Sequence, residues 1–328
     1  MTTRPVRDAA LAVDVIIVSW NTRDLLRDCL RQLLAEDVVR RVVVVDNGSH
    51  DGSATMVAAE FPEVVCIAER INHGFAGGNN IGLRVVLADQ TAPYICTLNP
   101  DTRVQRGAMQ RMVTYLAGHP EVVGVGPLLR YGDGSWQSSR RRFPTLGTYL
   151  AESTPLAQWW PRNRWIAQYH MAAAPQDAIT AADWLVGAAL VVRSARVRAV
   201  GLFDAGFALY SEELEWQRRL TDGQAGRMVY LPSAVIEHYE GQSSSQIPTQ
   251  RLVWFVGSRL RDAQLALGSG MRMLIQVAYL AMYGVEWLSE ALKWLVGHRR
   301  VLRADRLRTY AAVVKAVIQW RMAPVQIW

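Results

Sequence analysis

Residues 14–49, DVIIVSWNTRDLLRDCLRQLLAEDVVRRVVVVDNGS, decide the fold. Asp14–Trp20 is a short β-branched run, the mark of a strand covered on both faces. In Thr22–Ala35, residues Leu25, Leu26, Leu30, Leu33 and Leu34 share one face of a helix. Arg41–Val45 repeats the strand signal and ends in Asp46-Asn47-Gly48-Ser49. Working outward, the same alternation continues. Ser53–Phe61 reads as a helix stopped before Pro62, and Val64–Ala68 as a strand. Asn79–Leu87 is helical, Tyr94–Leu98 is a strand ending in Asn99-Pro100-Asp101, and Arg106–Ala117 is helical. Such alternation specifies an α/β fold with a mostly parallel, Rossmann-like sheet flanked by helices. Ligands of such sheets bind at the carboxyl ends of the strands, where Trp20-Asn21, Asp46-Asn47 and Asn99-Pro100-Asp101 fall.

The pattern dissolves between Tyr131 and Ala182, which reads as a partly irregular insert suited to an acceptor region. Arg140, Arg141 and Arg142 within it are either contacts to an acceptor phosphate or a solvated surface patch. Order returns with a strand-like Trp184–Val192, helices at Ser194–Val200 and Glu212–Leu220, and a strand at Met228–Val235; Ser243–Ser245 opens a loop. Beyond Gln250 only helices are expected. The division is a catalytic domain over 1–248 and a helical extension over 249–328. The whole chain of 328 residues carries +7, yet Arg251–Trp328 alone holds twelve cations against four anions. Three cysteines are too few for a disulfide framework and read as core filler in a reducing compartment. No signal peptide is visible, and no run of about 20 uncharged apolar residues is present, so no membrane span is expected.

Four clusters can carry chemistry. Asp46 can accept hydrogen bonds from a base or ribose, or simply close an Asx turn. In Asn72–Gly82 (NHGFAGGNNIG), the glycines admit close backbone approach, and a helix starting near Asn79 offers free N–H groups to phosphate. The glycine spacing matches neither the dinucleotide fingerprint nor a P-loop. Asp101 beside such a site fits a divalent cation, with His238 as a second ligand from a distant loop; each is otherwise an ordinary turn or loop residue. Glu212, Glu213 and Glu215 crowd a helix start. They form either an acidic first turn favoured by the helix dipole or the seat of a general base. Spacing puts Glu212 and Glu215 on one face and Glu213 elsewhere.

The order of these pieces (WNT, VDNGSHDGS, NHGFAGGNNIG, LNPDT, DWLVGAALVVRSARVRAVGLFDAGF, YSEELEWQRR) resembles the family-2 glycosyltransferases of the GT-A fold. The likeness is to the rhamnosyltransferase-like members that build bacterial polysaccharides, and it covers about residues 14–245. It implies an inverting transfer from a dTDP- or UDP-linked sugar, with rhamnose from dTDP-rhamnose foremost, to a saccharide or polyprenyl-linked acceptor hydroxyl. By the same resemblance Trp20, Asn21 and Asp46 border the nucleotide, and Asn72, Gly74 and Asn79 line the donor loop. Asn99 and Asp101 end the DxD-type motif, whose cofactor is Mg²⁺ or Mn²⁺. The family's Glu-Asp-x-Asp stands here as Glu212-Glu213-Leu214-Glu215, so the base maps to Glu213, with Glu212 as the alternative.

A sugar-nucleotide pyrophosphorylase would carry a Gly-rich basic loop where this chain has SWNTRD. A non-enzymatic nucleic-acid binder would interleave its arginines with exposed aromatic platforms, whereas here they alternate with apolar helix faces. No nucleic-acid partner is therefore expected. Trp287 and Trp294 share one helical face, and Leu307, Tyr310, Ala311, Val314 and Ile318 make a second apolar stripe. With HRRVLRADRLR between them, these helices suit either an anionic membrane surface or packing on a partner. The expected location is the cytoplasm, peripheral on the inner face of the cell membrane.

Overall fold

The computed structural model describes residues 3–322 except 5, 7, 90–91, 153, 155, 161–162, 224–225 and 242–243. Ser243 and Trp328, both used in the sequence reading, lie outside the described residues. The first half follows the expected alternation: β1 (Val13–Ser19), α1 (Arg23–Leu33), β2 (Val39–Asn47), α2 (Ser53–Glu60), β3 (Val65–Glu69), α3 (Gly74–Ala88), β4 (Tyr94–Leu98), β5 (Thr102–Val104) and α4 (Ala108–Gly118). β6 (Val122–Arg130) follows. The insert then holds β7 (Trp136–Gln137), β8 (Arg140–Arg141), α5 (Leu146–Glu152), α6 (Leu156–Trp159), α7 (Arg164–Tyr169) and β9 (Thr180–Ala182). After it come β10 (Trp184–Leu185), β11 (Ala189–Arg193), α8 (Ser194–Val200), α9 (Glu212–Thr221), β12 (Arg227–His238), α10 (Pro248–Leu295) and α11 (Arg300–Ile318).

The main sheet runs β3-β2-β1-β4-β11-β6-β12-β5, with β7 and β9 attached at β6 and β12. β1 pairs in parallel with β2 and β4, and β12 in parallel with β6. β11 runs antiparallel to both β4 and β6, so the sheet is mixed at its centre. Two apolar layers cover it. One packs α1, α2 and α4 residues such as Leu26, Val57 and Met112 on the strands, and the other packs Leu83, Val197 and Trp216 on the opposite face. Charge inside this core is paired: Asp14 meets Arg40 at 2.5 and 2.9 Å, and Arg41 meets Asp89. Cys29 and Cys96 are core residues as read, their thiols pushed up to about 12 by burial.

Helix α3 begins five residues earlier than expected, at Gly74 rather than Asn79. Its glycines therefore serve packing. A Cβ on Gly78 would stand 2.6 Å from Val18 Cγ1, and one on Gly82 would collide with Ile16 Cγ2. The helix thus lies directly on β1, and its first turn reaches the strand ends.

The C-terminal extension is a helical hairpin. α10 is interrupted by non-helical backbone at Gly268 (φ 81°). Ile275, Tyr279 and Tyr283 pack with Val313 and Val317 of α11 and Tyr149 of α5. The packed face of α11 is offset from the expected stripe: Ile318 is exposed, whereas Val313 and Val317 are buried. The expected absence of a membrane span also needs correcting on length and composition. α10 is long and apolar enough to cross a bilayer, and its most apolar window is mostly unburied.

The close seat of α3 on β1 predicts that Gly82→Ala destabilises the protein by about 1–3 kcal/mol through overpacking. At Gly284 of α10 a Cβ meets nothing within 4 Å, so Gly284→Ala stabilises by up to about 1 kcal/mol through helix propensity. Urea unfolding of both variants against wild type measures the difference.

Candidate active site

A cavity of about 580 Å³ opens over the carboxyl ends of β1, β2 and β4. Its sheet-side wall includes Trp20, Asn47, Asn72, Gly74, Asn99 and Asp101, with His238 at the end of β12. The donor loop is pinned by Asn47, whose Nδ2 donates to Asn72 Oδ1 (2.8 Å) and to the Gly74 carbonyl (3.1 Å). Asn47 Oδ1 accepts from the His73 N–H (2.9 Å). Asn72 Oδ1 also takes the Gly74 N–H at 2.8 Å. The sequence reading used Asn47 only as a turn residue, although a buried amide at a strand end is the piece that ties a loop to its sheet.

Asp101 and His238 meet as expected, with His238 Nε2 3.3 Å from Asp101 Oδ1. His238 is not on a distant loop. β12 pairs with β5, and His238 stands opposite Thr102. Gln137 Nε2 donates to Glu240 at 2.8 Å, so Gln137 Oε1 faces His238 Nδ1 at 3.0 Å. Nδ1 therefore carries the hydrogen, and the Nε2 lone pair points toward Asp101 and the Asn99 amide at 3.3 Å. A buried carboxylate oxygen with no hydrogen-bond partner among the described residues, beside an imidazole nitrogen, fits a divalent cation. Among the described residues no group of three His, Cys, Asp or Glu side chains forms a metal site. The protein would thus supply two ligands and leave the remainder to oxygen atoms of a bound molecule.

Glu212 and Glu213 open α9 and both line the cavity. At the first two positions of a helix, neither side chain is screened by a preceding turn, so adjacent residues reach the same space. Glu213 was expected to point away from Glu212, yet it is Glu215 that turns elsewhere, binding Arg219 through two hydrogen bonds of 2.7 and 2.8 Å. Tyr210 and Ser211, just before the helix, have φ of 69° and 68°. Two consecutive left-handed residues without glycine are strained, and strain of this kind gathers at functional sites. Burial raises the pKa of Glu213 to about 7, against opposing backbone hydrogen bonds and the Arg259 charge. Burial and then the neighbouring Glu213 charge hold Glu212 far above the ordinary carboxylate range. As pH rises through about 7 the pair therefore gains its first charge on Glu213, while Glu212 stays protonated.

The opposite wall comes from the insert and α10: Arg141, Glu152, Tyr169, Arg251, Trp254 and Arg259. The insert half of this wall falls in the region read from the sequence as suited to an acceptor, with the arginine triplet as its named contacts, whereas the α10 half was not expected. The members of the triplet divide three ways. Arg140 is fully buried, stacked between Trp136 and Tyr230 and donating to the Ala174 and Pro175 carbonyls, so it is no surface patch. Arg141 reaches the cavity, and Arg142 pairs with Asp183 at 3.0 Å.

Three expected donor-site residues do not line the cavity. Asn21 braces the β1 and β2 ends, taking the His50 N–H at 2.8 Å and giving its own N–H to Ser49 at 2.9 Å. Asn79 lies within α3, buried, donating to the Phe75 carbonyl at 2.9 Å. It was expected at the helix start, which the earlier beginning of α3 displaces by five residues. Asp46 is buried at the end of β2, and its Oδ1 meets no donor among the described residues.

A family model described as glycosyl transferase family 2 matches residues 14–180. The N-acetylglucosaminyl-diphospho-decaprenol L-rhamnosyltransferase of Mycobacterium tuberculosis is 29% identical over 254 residues, 73% of this chain and 79% of that one. Rhamnosyltransferase WbbL of Escherichia coli is 24% identical, over 76% of this chain and 91% of that one. Among solved structures, the mannosyltransferase PcManGT of Pyrobaculum calidifontis, in complex with GDP-Man and Mn²⁺, matches with a TM-score of 0.51 and 16% identity, covering 96% of this chain and 90% of that one. GalNAc-T7 with UDP, GalNAc and Mn²⁺ gives 0.53 and 13%, covering 77% of this chain and 50% of that one. At these identities the two structures share the GT-A-like fold.

A folded-state pKa of about 7 on Glu213, above the ordinary 4.5, has a thermodynamic signature. Its contribution to stability is present below pH 4.5 and is lost as pH rises through about 7, where the buried carboxyl must charge. Melting temperatures of wild type and Glu213→Gln, compared from pH 5 to 8, should diverge in favour of the variant as pH rises. A constant difference would place the titration elsewhere.

Proposed function

Since the chain belongs to glycosyl transferase family 2, we propose that it is an inverting enzyme moving rhamnose from dTDP-rhamnose to a hydroxyl of a polyprenyl-linked glycan. The protein is a glycosyltransferase; the sugar, the donor nucleotide and the stereochemistry are the reading advanced here. The observation that carries it is the Glu213 carboxyl, at the cavity wall with a pKa of about 7. A base poised at the working pH combines correct protonation with proton affinity. Two relatives named as rhamnosyltransferases, one acting on a decaprenol diphosphate, support the sugar and the acceptor class. dTDP is the nucleotide that the resemblance implies, with UDP as the other.

In this mechanism Glu213 takes the proton of the acceptor hydroxyl as its oxygen attacks the anomeric carbon. The bond from that carbon to the diphosphate oxygen breaks, and the diphosphate leaves with the electron pair. Glu212 stays neutral, so it does not compete for the proton. A single displacement needs one base and no carboxylate nucleophile, which is the arrangement that inverts the anomeric centre. The first turn of α3 faces the cavity at Gly74 and Phe75, and with the Gly74 N–H held by Asn72 it is Phe75 that can offer an N–H to the diphosphate. Asp101 and His238 would hold a divalent cation, Mg²⁺ or Mn²⁺, which when bound neutralises charge on the leaving group. An acceptor on a polyprenyl carrier places the enzyme at the inner face of the cell membrane.

With dTDP-rhamnose and a polyprenyl-diphosphate-linked acceptor, wild type should form product of inverted anomeric configuration, and rate should rise through about pH 7. Glu213→Gln should lower turnover by roughly 10²–10⁴-fold while keeping the thermal shift caused by dTDP. Asp101→Ala should lose the added stabilisation from Mn²⁺. A ligand at about 100 times its Kd stabilises by about 2.7 kcal/mol, well within reach of such a scan. Turnover undiminished in Glu213→Gln, or a thermal response to GDP but not to dTDP or UDP, would overturn the assignment of base or donor.

A further inference from the structure

Beyond Gly268, α10 shows the solvent an apolar face. Leu274, Val277, Val285, Leu288, Leu292 and Leu295 are 50% to 65% exposed. At 100° per residue they fall within an arc of about 80°, and Ala281, also exposed, fills the gap between Val277 and Val285. The stripe runs about 32 Å at 1.5 Å per residue. The opposite face is committed to the protein through Ile275, Tyr279 and Tyr283. The stripe is therefore an unpartnered side of a packed helix, and a span across a bilayer would strip that packing.

Charge at its far end identifies the occupant. From Lys293 to Arg308 there are six cations and one anion, Asp305. Arg303 is consumed by the buried Glu290 at 2.7 Å, and Lys293 and Arg306 lean on the same carboxylate at 3.1 and 3.4 Å. Arg299 and Arg300 are exposed, with no carboxylate within 4 Å among the described residues. Trp287 and Trp294 share one side of the helix about 80° and 100° from the stripe's edge, each a little over a third exposed, and Arg300 stands over the Trp294 ring at 5.5 Å. A second copy of this chain would bring its own cations against these. An anionic lipid surface complements both the stripe and the arginines.

We infer that the second half of α10, with the tip joining it to α11, lies on an anionic bilayer, with the leucine stripe in the acyl boundary and Arg299 and Arg300 among the headgroups. The first half of the same helix lines the cavity with Arg251, Trp254, Phe255 and Arg259. The two segments of α10 meet at Gly268 and both reach Tyr149, so the lipid-facing segment is packed back toward the one that lines the cavity. The purpose of this arrangement rests on the proposed lipid-linked acceptor; the membrane contact itself does not.

The test is flotation of the full chain with vesicles of phosphatidylcholine alone or with added phosphatidylglycerol. Wild type should float with the anionic vesicles, bind neutral ones at least about tenfold less, and release as salt screens the headgroups. Leu288→Glu/Leu292→Glu and Arg299→Glu/Arg300→Glu should each lose binding by about tenfold or more. Both variants alter exposed side chains, and an unchanged nucleotide thermal shift verifies that they are folded. Failure of wild type to float, or a homodimer in sedimentation velocity that the leucine variant dissolves without changing flotation, overturns the inference. Flotation as expected with no nucleotide response would instead remove the transferase reading and leave the membrane contact standing.

Discussion

The cavity depends on two buried ion pairs that fasten α10 to the rest of the molecule. Arg259 binds Glu152 of the insert, and Asp262 binds Arg218 of α9 at 2.7 Å while accepting the Tyr149 hydroxyl. Arg259 and Asp262 are almost fully buried, and Arg259 lies over the rings of Tyr149, Tyr169 and Phe255. Losing one partner of such a pair leaves an uncompensated charge and costs about 3–5 kcal/mol. The C-terminal extension is therefore structural to the site, since it holds the far wall and steadies the helix that presents Glu213. The left-handed Tyr210 and Ser211 can persist only in a frame this firmly determined.

The electrostatics of the cavity follow from that frame. Arg259 opposes the burial that lifts Glu213, so the carboxyl settles near neutrality rather than staying protonated like its neighbour Glu212. On the other side, Glu240 orients Gln137, which sets the tautomer of His238. A guanidinium, Arg259, and a carboxylate, Glu240, thus decide where protons reside.

Legibility in the sequence tracked the range of the interactions. The strands and helices up to residue 118 were readable because each buries a continuous apolar run or a periodic face, a local property. The beginning of α3 was misplaced because glycines usually mark loops, whereas Gly78 and Gly82 are there for a close approach to Val18 and Ile16 that only the sheet reveals. Order in the motifs brought Asp101, Glu212 and Glu213 to one cavity, and His238, read separately as a ligand from a distant loop, joins them from the end of β12. Asn79 and Asn21 were carried along by the same motifs but serve the scaffold. Arg140 was unreadable for a different reason: its partners are ring faces and carbonyls of Trp136, Tyr230, Ala174 and Pro175, and no charge pattern betrays them. The insert's share of the far wall was legible as an acceptor region, but the share of α10 stayed hidden because that helix meets the insert from about a hundred residues away.

Strand order has a consequence for the time at which this molecule becomes an enzyme. β4 and β5 are separated by three residues of chain, yet β11, β6 and β12 stand between them in ladder order. A chain emerging from the ribosome can pair β1, β2, β3 and β4 early. It cannot join β4 to β6 before residues 189–193 appear, nor seat β5 before residues 236–238 do. Pairings of such sequence separation form slowly and expose strand edges while they wait. The last ladder to close is the one that brings His238 to Asp101. Completion of the sheet is therefore a late event in biosynthesis, the far wall on α10 follows later still, and until then a nascent chain has no assembled site to misuse substrate.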